Sequence, residues 1–135
     1  MNDLKASVIV KTDIDCILSR EAWEILSNLK NGNGIIFRYW QIDSIADTTK
    51  AQLDPRIQGT CAFTAEDWLR IGGYNSQMQG YGYDDADIVF RARRAGIKTE
   101  RLKRPKVYHI RHAEKHNRNT FNPVMRRKNM EIAYG

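Results

Sequence analysis

Short apolar runs separated by polar turns predict the strands of this chain. Residues 7–10 (SVIV) form a brief apolar run that is typical of a buried strand. Residues 35–42 (IIFRYWQI) are rich in β-branched and aromatic residues and predict a second strand, and residues 101–110 (RLKRPKVYHI) predict a final one. Residues 43–58 are polar and contain Pro55, which indicates a loop.

Apolar residues at helical spacing predict three helices between these strands. The first begins after the capping residue Ser19 and is stopped by Gly32 and Gly34. The second, a short helix, begins at a capping box formed by Thr64 and Asp67. The third lies in DADIVFRARRAG, where an apolar stripe is followed by a C-terminal glycine: Ile88, Val89, Ala92 and Gly96.

The last part of the chain lacks such a pattern. Residues 111–135 are polar and basic, and we interpret them as a closing loop and tail. Strands and helices are otherwise mixed along the sequence, which predicts an α/β or α+β fold.

Composition is that of one globular domain, residues 1–135, or of a piece of one. The hydrophobic content of 41% is enough for a core. No stretch is long enough to span a membrane, and the N-terminus lacks the pattern of a secretory signal. Cys16 and Cys61 form no CxxC motif, so we expect two reduced thiols in a cytoplasmic protein.

The net charge of +6 is concentrated near the C-terminus. The segment from Lys98 to Lys128 holds eleven of the 22 basic residues and only two acids, Glu100 and Glu114. Such a segment favours an anionic partner such as a nucleotide, a nucleic acid or a membrane surface. A solvated basic face is the alternative interpretation.

Two carboxylates follow the first predicted strand. Asp13 and Asp15 are two positions apart, so on an extended chain they face the same side. The carboxyl ends of strands are where open α/β sheets bind ligands, and such oxygens suit Mg²⁺ or Mn²⁺. The alternative is a pair of solvated turn residues.

The three histidines lie close together after the last predicted strand. His109 and His112 would point in opposite directions on a flat strand, so they can converge only if the chain turns there. His116 is four positions beyond His112, so a helical turn would pair those two instead. Imidazole suits Mn²⁺ or Zn²⁺, and the alternative is an ordinary basic surface.

The stretch GYGYDDAD, residues 80–87, combines glycines, aromatic residues and three acids. A carboxylate at the start of a helix is favoured by the helix dipole, which accounts for one aspartate. Aromatic faces and carboxylates together are suited to binding a sugar, and a carboxylate beside a sugar hydroxyl can act as a general base. The sugar-binding interpretation uses the whole motif.

Three segments resemble GT-A glycosyltransferases, and specifically the C-terminal part of the β-1,4-galactosyltransferase family. GGYNSQMQGYGYDDADIVFRARRAG resembles that family's acceptor segment, a Gly-Trp-Gly-Gly-Glu run followed by three aspartates. HIRHAEKHNRNTFNP resembles its metal segment, Met-Ile-Arg-His followed by Asn-Pro. With DID upstream, the three motifs occur in the family's order over about residues 7 to 127.

The resemblance implies the C-terminal half of a GT-A fold, a mixed sheet with flanking helices. It implies an inverting sugar transfer from a UDP-sugar, with galactose or N-acetylgalactosamine as the donor sugar, to a carbohydrate acceptor. Mn²⁺ or Mg²⁺ is the implied cofactor. The family's N-terminal nucleotide-binding half has no counterpart in this sequence, so we expect a homo-oligomer or a partner chain to cover an open sheet edge. Whether the chain is active alone is left open.

The resemblance also assigns roles to individual residues. It implies that Asp85 is the general base. The implied metal ligands are Asp15, His109 and His112, with His109 in a position where the family often has methionine. The implied donor site contains Asp13, Tyr81 and Gly82, and the implied acceptor site contains Asp84, Tyr83 and Asp87.

Two differences from the family's pattern concern the acceptor site. Ala86 replaces the middle aspartate of the triple and Tyr83 replaces a glycine, so we expect an acceptor other than the family's usual N-acetylglucosamine. Two other functions are considered: a sugar- or nucleotide-binding remnant without turnover, and a nucleic-acid-binding protein. The last predicts steeply salt-dependent binding and leaves the acids of residues 80–87 unexplained.

Overall fold

The computed structural model describes residues 7–55, 59–112 and 122–135. The strands and helices in these ranges follow one another in this order: β1 (Val8–Lys11), β2 (Cys16–Leu18), α1 (Arg20–Ser27), β3 (Asn33–Ile42), β4 (Gln52–Leu53), β5 (Cys61–Thr64), α2 (Ala65–Arg70), α3 (Asp84–Arg94), β6 (Lys98–Ile110) and α4 (Pro123–Tyr134). The predicted strands correspond to β1, β3 and β6, and the predicted helices to α1, α2 and α3.

The parallel pair β3 and β6 is the centre of a six-stranded mixed sheet in the described ranges. The strand order is β1-β5-β3-β6-β2, with β4 also paired to β3, and every pairing except β3 with β6 is antiparallel. The register places Tyr39 opposite Val107 and Gln41 opposite His109. The C-terminal halves of the two strands therefore bring polar side chains to one end of the sheet.

The sheet is curled, as the connection between β1 and β2 shows. These strands are at opposite ends of the strand order, so about 19 Å would separate them in a flat sheet. The five residue steps from Lys11 to Cys16 span at most about 18 Å when fully extended, and this connection also contains a turn in which the Cys16 amide donates to the Asp13 carbonyl. The connection thus passes over the sheet and carries Asp13 and Asp15 across its face.

Helices cover both faces of the sheet, which confirms the predicted α/β class. One buried cluster joins α1 to one face: Ala22, Leu26, Ile35, Phe37, Tyr39, Ala62 and Val107. The other joins α3 and the end of α2 to the opposite face: Ile36, Cys61, Phe63, Ile71, Ile88, Val89, Ala92 and Ile97. Alternate residues of β3 face opposite clusters, as the period of a strand requires.

The helix boundaries largely follow the capping signals in the sequence. The Ser19 side chain accepts from the Ala22 amide and the Thr64 side chain accepts from the Asp67 amide. Gly96 follows α3 with a positive φ of 78°. The first helix ends at Ser27, before the glycines predicted to stop it, and Gly34 instead lies in β3 against the Phe63 ring.

The prediction of a loop and tail over residues 111–135 was wrong for its second half, where α4 forms. The Asn122 side chain accepts from the Val124 and Met125 amides, and Pro123 occupies the first turn. Asn-Pro is a helix-start signal as well as part of the family motif, and it predicts this helix. Residues 113–121 lie outside the described ranges. The loop predicted over residues 43–58 also contains the two-residue strand β4.

No helix in the described ranges is both long enough and apolar enough to cross a lipid bilayer.

Candidate active site

Asp15, His109 and His112 converge at one end of the sheet. The Asp15 Oδ2 atom lies 3.2 Å from Nε2 of His109 and 3.1 Å from Nε2 of His112. The strand β6 ends between the two histidines, and the Arg111 amide donates to the Ile42 carbonyl. The strand thus stops before His112, and the two histidines converge although they are three positions apart, whereas His116 lies outside the described residues.

The donor set of this cluster fits a divalent metal ion. Its three ligand atoms all lie within 4.8 Å of one another. Neighbouring ligands of an octahedral ion with bonds of about 2.1 Å are about 3 Å apart, close to the two distances from Asp15. Two imidazoles and one carboxylate suit Mn²⁺ better than Mg²⁺, since Mg²⁺ prefers oxygen ligands throughout.

A second polar cluster joins the β1–β2 connection to the start of α3. The Lys11 ammonium lies 2.9 Å from Oδ1 of Asp13 and 3.1 Å from Oδ1 of Asp85. The Tyr39 hydroxyl donates to Oδ2 of Asp13, and the Tyr74 hydroxyl donates to Oδ1 of Asp85. Lys11 therefore links Asp13, which the resemblance implies for the donor site, to Asp85, which it implies as the general base.

Gly59 allows these groups to approach the backbone closely. A Cβ atom there would lie 2.5 Å from the Lys11 Nζ and 2.6 Å from Oδ2 of Asp85. Only glycine leaves that space open. Sequence reasoning missed Gly59, Lys11 and Tyr74, whose only signals were a glycine before a short apolar run and polar residues beside predicted elements.

Burial and neighbouring charges shift the pKa of the Asp85 carboxyl, and their effects partly oppose one another. Burial raises its pKa, the nearby Asp84 and Asp13 raise it further, and Lys11 opposes them. For Lys11, burial lowers the pKa, but the attraction of Asp85 and Asp13 and their hydrogen bonds outweigh it, so the net pKa is raised. The cluster thus holds a firmly charged ammonium against a carboxylate that binds protons more tightly than usual.

The two tyrosine hydroxyls of this cluster remain protonated donors. Burial raises the pKa of Tyr74 and of Tyr39 well above the ordinary value. Each phenol can therefore hold its carboxylate partner in place without competing for charge.

A comparison with protein families matches residues 46–113, half of the chain, to the family described as the N-terminal domain of galactosyltransferase. The chain belongs to this galactosyltransferase family. The general activity of this family is glycosyl transfer. The matched segment contains Asp85, His109 and His112, whereas Asp13 and Asp15 precede it.

None of the acids in residues 84–87 caps helix α3 with its side chain. Tyr83 occupies the N-cap position with a left-handed φ of 69°, and no side chain caps the helix. Asp84 and Asp85 lie in the first turn, where the helix dipole favours them. Capping therefore does not explain why these acids are present.

Asp87 differs from the other two acids in its surroundings. It is buried, and its Oδ2 lies 2.6 Å from a guanidinium nitrogen of Arg91 one helical turn later. Arg91 in turn donates to the Ile71 carbonyl after α2. This arrangement gives Asp87 a role in packing, so we do not carry it into the acceptor site.

The aromatic residues of the same segment have different surroundings. Tyr81 is 62% exposed, which leaves its ring free to stack on a sugar. The Tyr83 ring is packed edge-on against Tyr134 and lies under the Arg126 guanidinium. Gly82 presents its carbonyl to the Asn129 side chain of α4.

A cavity of about 800 Å³ lies between α1 and the first residues of β3 and β6. Ile25, Leu29 and Ile35 contribute its apolar wall. None of the residues predicted for the site lines this cavity, so we place the chemistry at the opposite end of β3.

Proposed function

We propose that the chain is a metal-dependent inverting glycosyltransferase, or the catalytic part of one. It would move galactose or N-acetylgalactosamine from a UDP-sugar to a carbohydrate acceptor. The observation that carries the proposal is that Asp15, which lies outside the family-matched segment, meets His109 and His112 from within it. The family match and the metal-binding types of these three side chains independently support the same chemistry.

Asp15, His109 and His112 would hold Mn²⁺ or Mg²⁺ in this proposal, and the donor set favours Mn²⁺. A divalent ion bound there supplies positive charge against the diphosphate that leaves the donor sugar. Asp13 lies within two residues of Asp15 and would bind the ribose of the nucleotide. Tyr81 and Gly82 would line the binding site of the donor sugar.

Asp85 is the proposed general base. Its Oδ1 is held by Lys11 and Tyr74, while Oδ2 accepts no hydrogen bond from the described residues. Oδ2 would take the proton of the acceptor hydroxyl as that oxygen bonds to the anomeric carbon and the bond from that carbon to the diphosphate oxygen breaks. A single displacement of this kind inverts the anomeric carbon. The raised pKa of Asp85 makes it a stronger base for this step.

Asp84 and Tyr83 would bind the other hydroxyls of the acceptor. Asp84 lies in the first turn of α3 beside Asp85. Ala86 offers no hydrogen bond where the family's pattern has a carboxylate, so the acceptor would differ from N-acetylglucosamine at the hydroxyl or amide which that carboxylate binds.

Calorimetric titration of Mn²⁺ with UDP tests the binding site. We expect saturable binding by the unmodified chain, and its loss in Asp15→Asn and in His112→Ala. Asp47→Asn is a matched control, because Asp47 is exposed and its side chain bonds only to Thr49 among the described residues. Failure of the unmodified chain to bind, or unchanged binding by Asp15→Asn, would contradict the proposal.

Transfer itself separates an enzyme from a binding remnant. A screen of UDP-sugars against oligosaccharide acceptors should detect product with the unmodified chain and none with Asp85→Asn. The latter variant should still bind Mn²⁺ with UDP, since Asp85 contacts none of the metal-ligating side chains. Binding without transfer by the unmodified chain would favour the remnant.

A further inference from the structure

Four large side chains form a row across one face of the sheet. In the strand register Ile17 lies opposite Tyr108, and Trp40 lies opposite both Tyr108 and Leu53. Residues directly opposite one another on neighbouring strands point to the same face, and three steps of about 4.8 Å make the row about 14 Å long. Ile17 is 38% exposed and the other three side chains are partly exposed, so the row forms part of the surface.

The row lies at the same end of the sheet as the proposed metal ligands, but on the other face. Tyr108 precedes His109 in β6, and Trp40 precedes Gln41 in β3. His109 and Gln41 contact each other through their side chains. Successive side chains of a strand point to opposite faces, so the row is separate from the metal cluster.

Two cationic side chains lie over the Trp40 ring. The Lys106 ammonium is 4.4 Å from the centre of this ring and 6.0 Å from the centre of the Tyr108 ring. The central carbon of the Arg104 guanidinium is 5.4 Å from the centre of the Trp40 ring. Because an aromatic face attracts a cation, the two rings hold these cations above the row.

A bulge in β6 places these cations where they are. Residues 103–106 of β6 stand opposite the single residue Arg38 of β3, whereas the pairing on either side is regular. A bulge bends its strand outwards and changes the direction of its side chains. The Trp40 Nε1 donates to the Lys103 carbonyl at 2.8 Å, which attaches the bulge to β3.

The two cations lack an anionic partner within the described part of the chain. Neither Arg104 nor Lys106 forms an ion pair with a carboxylate there. Residues 98–106 contain five basic side chains and a single acid, Glu100. Two like charges held over one ring repel each other, and a bound anion would relieve that repulsion.

We propose that the surface formed by Trp40, Arg104, Lys106 and Tyr108, hereafter the cationic patch, binds the carboxylate or sulfate groups of an acidic polysaccharide. The guanidinium and the ammonium would donate to the anionic groups. Ile17 and the Tyr108 ring would contact the apolar faces of the sugar rings. The patch is thus a second carbohydrate site, apart from the one where transfer would take place.

The choice of a polysaccharide over other polyanions rests on the proposed function, since a glycosyltransferase meets carbohydrate chains. A nucleic acid would stack its bases on open aromatic faces, but here the cations already lie over the Trp40 ring. A membrane surface would take up exposed aromatic side chains, and the same cations lie in the way. Charge complementarity and the family therefore favour an acidic glycan.

Calorimetric titration of an oligogalacturonide into the unmodified chain tests the patch, and a heparin oligosaccharide supplies sulfate groups for comparison. We expect saturable binding of at least one of them, weakened by added salt. The fully methyl-esterified oligogalacturonide has the same backbone without the charges, and it should not bind at the same concentrations. Binding of neither acidic oligosaccharide, or equal binding of the ester, overturns the proposal.

A charge-matched pair of double variants locates the binding. Arg104→Gln with Lys106→Gln should weaken binding at least about fivefold, because it removes both ionic contacts. Arg94→Gln with Lys128→Gln removes the same two kinds of charge from exposed positions on α3 and α4, and should bind as the parent does. Equal weakening by the two double variants would mean attraction by net charge alone and would overturn the patch.

The positioning role of the indole is tested without any change of charge. Trp40→Leu should weaken binding severalfold although both cations remain, whereas Trp40→Phe keeps an aromatic face and should bind nearly as the parent does. Unchanged binding by a folded Trp40→Leu, checked by circular dichroism, would overturn this role. If that variant does not fold, the double variant of the two cations still decides the site.

Two further probes separate the other partners and the proposed function. Tighter binding of oligothymidine or of phosphatidylserine vesicles than of either acidic oligosaccharide would overturn the proposal in favour of a nucleic acid or a membrane. Titration of Mn²⁺ with UDP should be unchanged in the double variant of Arg104 and Lys106. Failure of the unmodified chain to bind Mn²⁺ would overturn the proposed metal site, while the oligosaccharide titrations would still decide whether the patch binds.

Discussion

At the scale of single residues, Lys11 offsets the negative charge around Asp85. Burial, Asp84 and Asp13 all raise the pKa of Asp85, and Lys11 is the group that lowers it. In the proposed mechanism Asp85 accepts a proton and must therefore be ionised, so kcat/KM should rise with pH through its pKa. Removing Lys11 leaves the raising effects unopposed and moves that rise to higher pH.

Lys11→Met should therefore shift the acid limb of the kcat/KM profile to higher pH and reduce activity severalfold in mildly acidic buffer. The profile is to be measured from pH-dependent initial rates of sugar transfer. Lys30→Met, at an exposed lysine after α1, serves as the control and should keep the original profile. An unchanged or more acidic limb in Lys11→Met would show that Lys11 does not keep Asp85 ionised.

The residues found from sequence are those whose chemistry is visible in a motif. Asp15, His109 and His112 stood in motifs, although only the end of β6 brings the two histidines together. Lys11 and Asp85 are 74 positions apart and belong to β1 and α3, so their contact depends on how the sheet and helix pack. The Gln41–His109 pair likewise depends on the register of two strands, which no local pattern specifies.

At the scale of elements, α4 holds the segment that precedes α3. The Asn129 side chain is buried, and its amide donates to the carbonyls of Gln79 and Gly82 while its oxygen accepts from the Gln79 amide. Tyr134 of the same helix packs against Phe90 and Tyr83. The helix missed by sequence reasoning thus supports the proposed donor and acceptor residues.

Asn129→Ala should destabilise the chain by about 1–3 kcal/mol, because it removes the three hydrogen bonds that the buried Asn129 side chain makes with the backbone of Gln79 and Gly82. Urea unfolding followed by circular dichroism measures the change. Met130→Ala on the same helix removes an exposed side chain and should stay within about 0.5 kcal/mol of the parent. Equal effects of the two substitutions would argue against this role for Asn129.

Elements with a pattern in their own sequence were predictable, and those that depend on a partner were not. β3 is rich in β-branched and aromatic residues, and α3 carries an apolar stripe at helical spacing. β2 and β4 have three and two residues, and they exist as strands because β6 and β3 lie beside them. Strands this short have too few residues to show the alternation of apolar and polar positions that predicts a strand.

At the scale of the whole molecule, the proposed metal site joins distant parts of the sheet. Asp15 lies in the connection that crosses the curled sheet between β1 and β2, and the histidines lie at the end of β6. An ion bound by all three would tie this connection to the central strands. Because the unfolded chain does not hold these ligands together, binding should stabilise the folded state.

Thermal unfolding with and without Mn²⁺ tests this coupling. At a free ion concentration a hundredfold above Kd, binding adds about 2.7 kcal/mol, which for a chain of this size raises Tm by roughly 10 °C. The shift should disappear with a chelator and should be absent in Asp15→Asn, whereas Asp47→Asn should retain it. A Tm that does not depend on Mn²⁺ in the unmodified chain would mean that the three side chains do not form a metal site in the folded state. Equal shifts in Asp15→Asn and the parent would place the bound ion elsewhere.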